Sequence, residues 1–341
     1  MSEQTSATRS DAEIAAGWKR VNVNPLWESR AAHKNSDEGP ERSCYWGWQD
    51  MQPAIEQALA MTSVEAIERR VLSLISPYSP QVAGTAGTTL NLNAGLQILK
   101  PGETARPHRH SMSALRFVLQ GEGAITAVDG KECPMEEFDL VTTPGWCWHA
   151  HIHRGSEPII WLDVLDASLH RYFGTDRFEP GPSNNIPDVA ADASFAQAGI
   201  VPENAGTQRN HSPMFRYPYA QAAAAMASAP EGKDGSRRIR YTNPLDGGPV
   251  MMALDCYLSE LDAGYETRAF RTTANAVCSV VAGEGSTRVG YETIHWGPRD
   301  VFSLPRGNWI AHKASSKAQL FVCTDRDVLR RLDLLTEEWD G

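Results

Sequence analysis

Short stretches of alternating apolar and polar residues run from about residue 88 to residue 166. They are separated by glycine, proline and Asp-Gly pairs, as at Asp129 and Gly130. Alternation places every second side chain on one face of a strand, and closely spaced turns join neighbouring strands in antiparallel fashion. We therefore predict an all-β dominated fold whose main unit is an antiparallel β-barrel.

A helical spacing of apolar residues marks several other stretches. Between residues 52 and 75 the apolar side chains recur every three or four positions and stop before Pro77. This pattern predicts one helix, or two short ones, packed against a barrel. We also predict an alanine-rich helix at 219–229, a helix at 325–335 that closes the chain, and a short amphipathic helix at 11–20.

The strand pattern recurs in the C-terminal part of the chain. The offset from Phe270 to Gly283 is thirteen residues, the same as the offset from His108 to Gly121. A repeat of this kind indicates two copies of one structural unit. The sequence therefore predicts two antiparallel β-barrels with flanking helices.

The domain boundaries follow from these patterns. We predict an N-terminal arm with a helical region, a first barrel, an inter-barrel region that contains a helix, a second barrel and a C-terminal helix, at residues 1–84, 85–166, 167–245, 246–325 and 326–341. The first ten residues are polar, and we expect them to be disordered.

Composition narrows the choice of partners. The chain has 341 residues, which exceeds the usual size of a single hydrophobic core, and its net charge is -10. This charge argues against a nucleic acid or an anionic membrane as partner. An acidic substrate can still bind if a metal and one or two arginines set the local charge.

The sequence also bears on location. It contains no run of eighteen apolar residues and no basic segment followed by an apolar stretch at its N-terminus. Neither a membrane span nor a signal peptide is therefore expected. The six cysteines are scattered without a CxxC pair, which favours reduced thiols and a cytoplasmic location.

The candidate chemistry lies in two groups of histidines. His108 and His110 are two residues apart, so on a strand both imidazoles point to the same face. His149, His151 and His153 repeat this arrangement about forty residues later. We predict a metal bound by His108, His110 and His149, although imidazole alone suits Fe, Zn, Cu or Ni.

The spacing of these histidines resembles the two motifs of the cupin superfamily. The matching positions are Gly102-x5-His108-x-His110 and Pro144-x4-His149. The surrounding sequence is similar to that of the gentisate 1,2-dioxygenase family, which includes salicylate 1,2-dioxygenases. This similarity extends from about Trp46 to the C-terminus, and its most specific stretches are 108–117, Gly95-Leu-Gln97 and Trp161-Leu-Asp163.

This resemblance implies a bicupin fold and a reaction. The family's enzymes are extradiol-type dioxygenases that use Fe(II) and O2 to cleave a 2-hydroxybenzoate between its carboxyl-bearing and hydroxyl-bearing carbons. We accordingly expect one Fe(II) per chain, no organic cofactor, a small aromatic acid as substrate, and a homotetramer. A site of three neutral histidines leaves Fe(II) its full charge and about three open positions.

Three further residues are predicted to act at the site. Arg116 follows His110 by six residues, so on a continuous strand it faces the same interior and offers a fork to a carboxylate. The resemblance implies that Arg116 contacts the substrate. His151 is either an acid/base group near oxygen or a support for the ligands. Asp163 either orients one of these groups or is a buried aspartate satisfied by backbone donors.

The substrate pocket is predicted from one strand face and one loop. The resemblance implies that Gly95 and Gln97 line the ring, and Asn93 shares their face. Asn93 stands where relatives usually carry a bulky aromatic residue, and Met112 replaces a usual glutamine. These departures favour a 5-substituted salicylate as the substrate. The most specific prediction is 5-nitrosalicylate, and gentisate is the alternative.

The second barrel lacks the ligands. Phe270, Thr272 and Ile310 align with the three histidines of the first barrel, and only His312, opposite His151, is retained. We therefore expect the second barrel to be free of metal and structural in role.

Two other readings of the chain remain. One is a different metal-dependent cupin enzyme, such as a decarboxylase or isomerase, but no glutamate follows His110 as a fourth ligand and Arg116 argues against it. The other is a non-catalytic bicupin that binds a ligand. Retention of three histidines in one barrel and their loss from the other favours a working site.

Overall fold

The computed structural model describes residues 41–61, 69–181, 190–197, 199–203, 205 and 210–341, together with Ala16 and Arg20. The described residues from 41 onward belong to one compact unit. The predicted disorder of the first ten residues lies outside the described residues, as does nearly all of the predicted helix at 11–20.

Strands dominate the described chain. The strands up to the inter-barrel region are β1 (Tyr45–Trp46), β2 (Val71–Leu74), β3 (Gln81–Val82), β4 (Thr85–Ala86), β5 (Asn93–Leu99), β6 (Thr104–His110), β7 (Ala114–Gln120), β8 (Ala124–Val128), β9 (Lys131–Met135), β10 (Leu140–Thr143), β11 (His149–His153), β12 (Ile159–Leu165), β13 (Phe178–Pro180) and β14 (Arg216–Tyr217). The later strands are β15 (Arg237–Tyr241), β16 (Asp255–Leu261), β17 (Phe270–Thr272), β18 (Ala276–Ala282), β19 (Gly285–Val289), β20 (Glu292–Trp296), β21 (Val301–Leu304), β22 (Trp309–Ala314), β23 (Ala318–Thr324) and β24 (Glu337–Trp339).

Short helices flank the strands. Their described bounds are α1 (Trp48–Met61), α2 (Ala167–Phe173), α3 (Tyr219–Ala227) and α4 (Arg326–Arg331), with a 3-10 turn at Asp192–Phe195. The alanine-rich helix predicted at 219–229 is confirmed by α3. Within the described residues, no helix combines the length and apolar character needed to cross a membrane.

The first barrel consists of two antiparallel sheets. Their strand orders are β14-β10-β7-β12-β5-β2 and β13-β6-β11-β8-β9. The predicted turn at Asp129 and Gly130 joins β8 to β9, with φ angles of 47° and 80°. Two consecutive left-handed residues match the twist of a hairpin, which explains why Asp-Gly occupies this position.

The second barrel repeats this design. Its sheets have the orders β1-β21-β18-β23-β16-β15 and β20-β19-β22-β17-β24. Phe270 on β17 pairs with Ile310 on β22, just as His108 on β6 pairs with His149 on β11. The two-barrel prediction is confirmed, and the register matches the alignment of the repeat.

The strands also show how the barrels extend into their flanking segments. β15 lies before residue 246 yet belongs to a second-barrel sheet, and β1 from the N-terminal arm lies at the other edge of the same sheet. β13 and β14, from the inter-barrel region, lie at edges of the first barrel. Segments that the sequence separates from the barrels therefore complete their sheets.

Two helix predictions were partly wrong. α1 confirms a helix up to Met61, but Val71–Leu74 form β2, which pairs with β5 at the edge of its sheet. The final helix ends at Arg331, and Glu337–Trp339 form β24 against β17. Val71–Leu74 is an apolar run too short to distinguish helix from strand by its spacing. Both β2 and β24 pair with a strand that would otherwise be the open edge of its sheet.

The two barrels share one hydrophobic core. Phe117 of the first barrel and Phe321 of the second are fully buried, and their rings stack with centroids 3.9 Å apart and planes inclined by 6°. Apolar residues of both barrels surround this pair in one contiguous cluster. Stacked aromatic side chains contribute both buried area and specific geometry, so neither barrel buries its inner sheet without the other.

Substitution of Phe117 by alanine should destabilise the whole unit. Truncation of a buried phenylalanine costs about 3 to 5 kcal/mol, because it removes buried surface and leaves a cavity. Chemical denaturation should show a lower midpoint. Tyr291→Ala, at an exposed position, is the control and should change the unfolding free energy by less than about 0.5 kcal/mol. Equal losses in the two variants would contradict a shared core.

Candidate metal centre and substrate cavity

Three buried histidines meet inside the first barrel. His108 and His110 lie on β6, and His149 lies on β11 directly opposite His108. One nitrogen of each ring lies within 4.8 Å of the corresponding nitrogens of the other two. The described residues contain no other such cluster of histidine, cysteine or carboxylate side chains.

Backbone carbonyls orient all three rings. The Nδ1 atoms of His108, His110 and His149 lie 3.0, 2.7 and 3.0 Å from carbonyl oxygens. These carbonyls belong to Arg106, Met112 and Cys147, respectively. A carbonyl only accepts, so each Nδ1 carries the proton and each Nε2 keeps its lone pair for a metal.

The electrostatics of the three rings fit metal ligation. Burial lowers the pKa of His108 to about 3 and that of His110 to about 4, and it lowers the pKa of His149 well below its ordinary value. The nearby Arg116 guanidinium acts in the same direction on each. All three imidazoles are therefore neutral at pH 7, and the buried Nε2 of His149 has no hydrogen-bond partner among the described residues.

A glycine allows the loop before β11 to approach β6. A Cβ added at Gly145 would collide with the backbone oxygen of Ser111. The close approach lets the backbone N–H of Trp146 donate to the carbonyl of His110 at 2.7 Å. Gly145 thus allows the loop to place His149 beside the other two histidines, which explains why the Pro144-Gly145 pair belongs to the motif.

Arg116 and Asp163 form a buried pair beside the histidines. They are paired residues on β7 and β12, with Arg116 Nε 3.6 Å from Asp163 Oδ1. Asp163 Oδ1 also accepts a bond from Trp161 Nε1 at 2.9 Å, and Arg116 Nη1 donates to Thr143. Burial lowers the pKa of Arg116 and raises that of Asp163 to about 6, although each charge opposes the shift of the other.

The prediction for Arg116 rested on a premise that was wrong. β6 ends at His110, and Arg116 lies on β7 in the other sheet. It nevertheless lines the same cavity, because the two sheets of the barrel face each other. The side chain of Asp163 is bound by Trp161 and Arg116 rather than by backbone donors, which favours an orienting role.

His151 lies deeper than the metal centre. It is fully buried, its ring centroid is 6.1 Å from that of His149, and its Nδ1 lies 2.9 Å from Thr126 Oγ1. Its Nε2 has no hydrogen-bond partner among the described residues. His151 does not line the open cavity beside the histidines, a position that suits support of His149 better than contact with a substrate.

A cavity of about 240 Å³ opens beside His110. All five predicted substrate-binding residues line it: Asn93, Gly95, Gln97, Met112 and Arg116. A Cβ at Gly95 would approach Val71 Cγ1 to 2.9 Å, so β2 closes the wall behind this glycine. The shared face of β5 therefore borders the cavity as predicted from its alternation.

Two cavity arginines were not predicted. Arg69 precedes β2, in a segment assigned to a helix, and its Nη1 lies 2.8 Å from His108 Nε2. Arg171 lies on α2, in a region treated as a connection between barrels, and its Nη1 is buried without a hydrogen bond among the described residues. Both line the cavity with Arg116. A metal at His108 would require the Arg69 guanidinium to move away from Nε2.

Besides lining the cavity, Asn93 is hydrogen-bonded to α2, which the sequence does not reveal. Its Oδ1 accepts bonds from both the backbone nitrogen and the hydroxyl of Ser168, each at 2.9 Å. Ser168 lies in the first turn of α2, and Asp166 before the helix provides no side-chain cap. Asn93 therefore caps α2 from another part of the chain.

The cupin domain family model matches residues 95–165. The chain is 32% identical to "Gentisate 1,2 dioxygenase 1" of Aquipseudomonas alcaligenes over 98% of both chains. It is 34% identical to a 5-aminosalicylate 1,2-dioxygenase of Comamonas sp, covering 94% of this chain and 87% of the relative. A 5-nitrosalicylic acid 1,2-dioxygenase of Bradyrhizobium sp matches 48% of this chain at 26% identity.

A solved structure agrees with these relatives. Salicylate 1,2-dioxygenase from Pseudoaminobacter salicylatoxidans, with gentisate, superposes with a TM-score of 0.87 at 27% identity, covering 100% of this chain and 97% of the other. Together with the three-histidine cluster, this similarity defines a metal-binding bicupin dioxygenase. The chain belongs to the gentisate and salicylate 1,2-dioxygenase family of ring-cleaving enzymes.

The second barrel retains one element of the site. His312 Nδ1 lies 2.8 Å from Thr287 Oγ1, which repeats the contact between His151 and Thr126. Phe270 and Ile310 occupy the places of two ligands in the same register. The predicted alignment of the barrels therefore holds at the level of individual side chains.

Metal content should depend on one barrel. His149→Ala should abolish metal binding, because two remaining histidines do not complete the three-nitrogen site. His312→Ala should retain the wild-type content. Metal analysis by mass spectrometry after anaerobic loading tests this expectation of one metal per chain. Two metals per wild-type chain, or loss of metal from the His312 variant, would contradict the assignment.

Proposed function

We propose that the chain is an Fe(II)-dependent, extradiol-type 1,2-dioxygenase. Its substrate is a 2-hydroxybenzoate, cleaved by O2 between the carboxyl-bearing and hydroxyl-bearing carbons. The observation that carries this proposal is an arginine-lined cavity that opens directly beside three neutral, carbonyl-oriented histidines. Iron held by these histidines supplies a binding centre for both reactants and a route for electrons between them.

The charges of the cavity support a carboxylate ligand. Arg69, Arg116 and Arg171 line it, whereas Asp163 is the only carboxylate among the described residues that do so. A guanidinium presents paired donors that match a carboxylate. Local positive charge thus allows a chain with a net charge of -10 to bind an anion.

Each residue of the site then has a role. Arg116 holds the substrate carboxylate, and Asp163 keeps the Arg116 guanidinium in place through their buried pairing. Gly95 lets β2 pack closely behind the cavity wall, because a Cβ there would approach Val71 Cγ1 to 2.9 Å. Arg116 and Asp163 are both buried, and the low local dielectric strengthens their electrostatic contact.

The polar groups of Asn93 bear on the ring substituent. Its oxygen is bound to Ser168, so Nδ2 is the group with which it can bind a substrate. An amide N–H is a donor and favours an acceptor substituent. We propose a 5-substituted salicylate, with 5-nitrosalicylate as the first compound to test. Gentisate, whose 5-hydroxyl also accepts, is the second candidate, supported by relatives named for it.

We also propose that the enzyme assembles as a homotetramer. The exposed rings of Tyr172 and Phe173 on α2 offer an apolar surface for a contact between subunits. Exposed aromatic pairs of this kind are typical of contact surfaces between subunits.

Oxygen uptake with salicylates tests the reaction. The iron-loaded protein should consume O2 and form a new ultraviolet-absorbing product. Arg116→Ala should lower kcat/KM roughly ten- to a hundredfold, because it removes a charge-assisted partner worth about 1.5 to 3 kcal/mol. Its metal content should be intact. Arg154→Ala, at a surface pair, is the control. Normal kinetics in the Arg116 variant would remove this residue from the site.

Substitutions at Asn93 test the substrate. Asn93→Trp should reduce activity on 5-substituted salicylates roughly ten- to a hundredfold more than on salicylate, because the indole refills the cavity. Asn93→Ala loses the bond to Ser168 but does not fill the cavity. A loss seen in this variant therefore comes from the placement of α2, whereas a further loss in Asn93→Trp comes from steric exclusion. The panel is gentisate, salicylate, 5-nitro- and 5-chlorosalicylate and 1-hydroxy-2-naphthoate. Equal losses on every substrate would show that Asn93 only positions α2.

A further inference from the structure

The mouth of the second barrel contains a larger cavity than the first. Its volume is about 410 Å³, compared with about 240 Å³ beside His110. Phe270 and Ile310, which occupy the register positions of two metal ligands, line it. Where the first barrel has metal ligands, the second therefore has a partly open, apolar-walled cavity of the size that binds small molecules.

Aromatic side chains form much of the wall. Phe270 packs against Trp339 of β24 with ring centroids 4.9 Å apart, and Tyr257 lies on another side. Leu304 and Ile310 add aliphatic groups to the lining. Such a wall suits a flat apolar body.

A partly buried histidine adds a directed polar group. His312 Nδ1 lies 2.8 Å from Thr287 Oγ1, and this hydroxyl accepts a bond from Trp296 Nε1 at 2.8 Å. Among the described residues, His312 Nδ1 is the one acceptor within reach of the Thr287 hydroxyl proton, so Thr287 donates to it. The proton of the neutral imidazole therefore resides on Nε2. Burial lowers the pKa of His312 to about 4. The ring thus lines the cavity as a neutral N–H donor.

The charged residues of the cavity carry a positive excess. Four cations and two carboxylates line it, namely Lys233, Arg238, Arg268, Arg326, Asp234 and Glu337. The carboxylate of Glu337 is bound by Arg326, and that of Asp234 by Ser236.

Arg238 remains available for a ligand. Its guanidinium lies 4.1 Å from the centroid of the Tyr257 ring, is exposed, and forms no ion pair within the described part of the chain. Stacking on the ring fixes the cation at the wall without neutralising it.

We propose that the second barrel binds a small carboxylic acid with a flat apolar body. Arg238 and the Nε2–H of His312 recognise the carboxylate, and the Phe270 and Trp339 rings contact the body. This site requires no metal and is separate from the cavity beside His110. The repeat would then have exchanged a metal centre for an organic-acid site.

Benzoate is a suitable probe, and equilibrium dialysis of the iron-loaded full chain measures its stoichiometry. We expect two sites per wild-type chain. Arg238→Glu should weaken one of them by about tenfold or more, since it reverses the charge that faces the carboxylate. Arg288→Glu, at an exposed arginine on the face of β19 opposite Thr287, is the matched control and should retain both.

Two further variants make the result decisive. Thr272→Trp, at the partly exposed cavity wall, should block the second site by filling it. Arg116→Ala should remove only the first site, so failure of the dioxygenase proposal and failure of this one are distinguishable. Benzoate binding that is unchanged in both Arg238→Glu and Thr272→Trp would overturn the second site. A single wild-type site lost in those two variants would support it.

Discussion

The antiparallel pairing of β6 with β11 is the constraint on which the site depends. It sets His149 opposite His108, and the carbonyls that hold each Nδ1 turn three Nε2 atoms toward one point. Because the backbone fixes the rings, neighbouring side chains can vary without loss of the ligand geometry. The three imidazoles are neutral and desolvated, and among the described residues His149 Nε2 has no hydrogen-bond partner. A bound metal would offset this loss of hydration.

Much of this arrangement was predictable from sequence, because it follows from spacing along single strands. The period of two placed His108 with His110, and Asn93 with Gln97. Contacts between distant segments were not predictable. Arg69 and Arg171 reach the cavity from segments assigned to a helix and to a connection. Arg116 does line the cavity, but for a reason other than the one predicted, since it reaches the cavity from β7 in the facing sheet.

The two barrels share a strand register and one threonine-histidine contact, but they differ at the ligand positions. The threonine-histidine contact survives in both, while the second barrel has replaced ligands with apolar rings that pack against β24. The stacked pair of Phe117 and Phe321 binds the inner sheets into one core. The second barrel can therefore lack metal ligands without loss of the fold, because it still buries the inner sheet of the first barrel.

The double contact of Asn93 has a consequence for enzyme engineering. A library randomised at this position alone would alter the pocket wall and uncap α2 in the same step, and α2 carries Arg171 to the cavity. Many variants would then be discarded for a misplaced helix rather than for a poor fit to the new substrate. Randomising Ser168 together with Asn93 would let a library recover another contact to α2 and widen the range of rings that a screen can find.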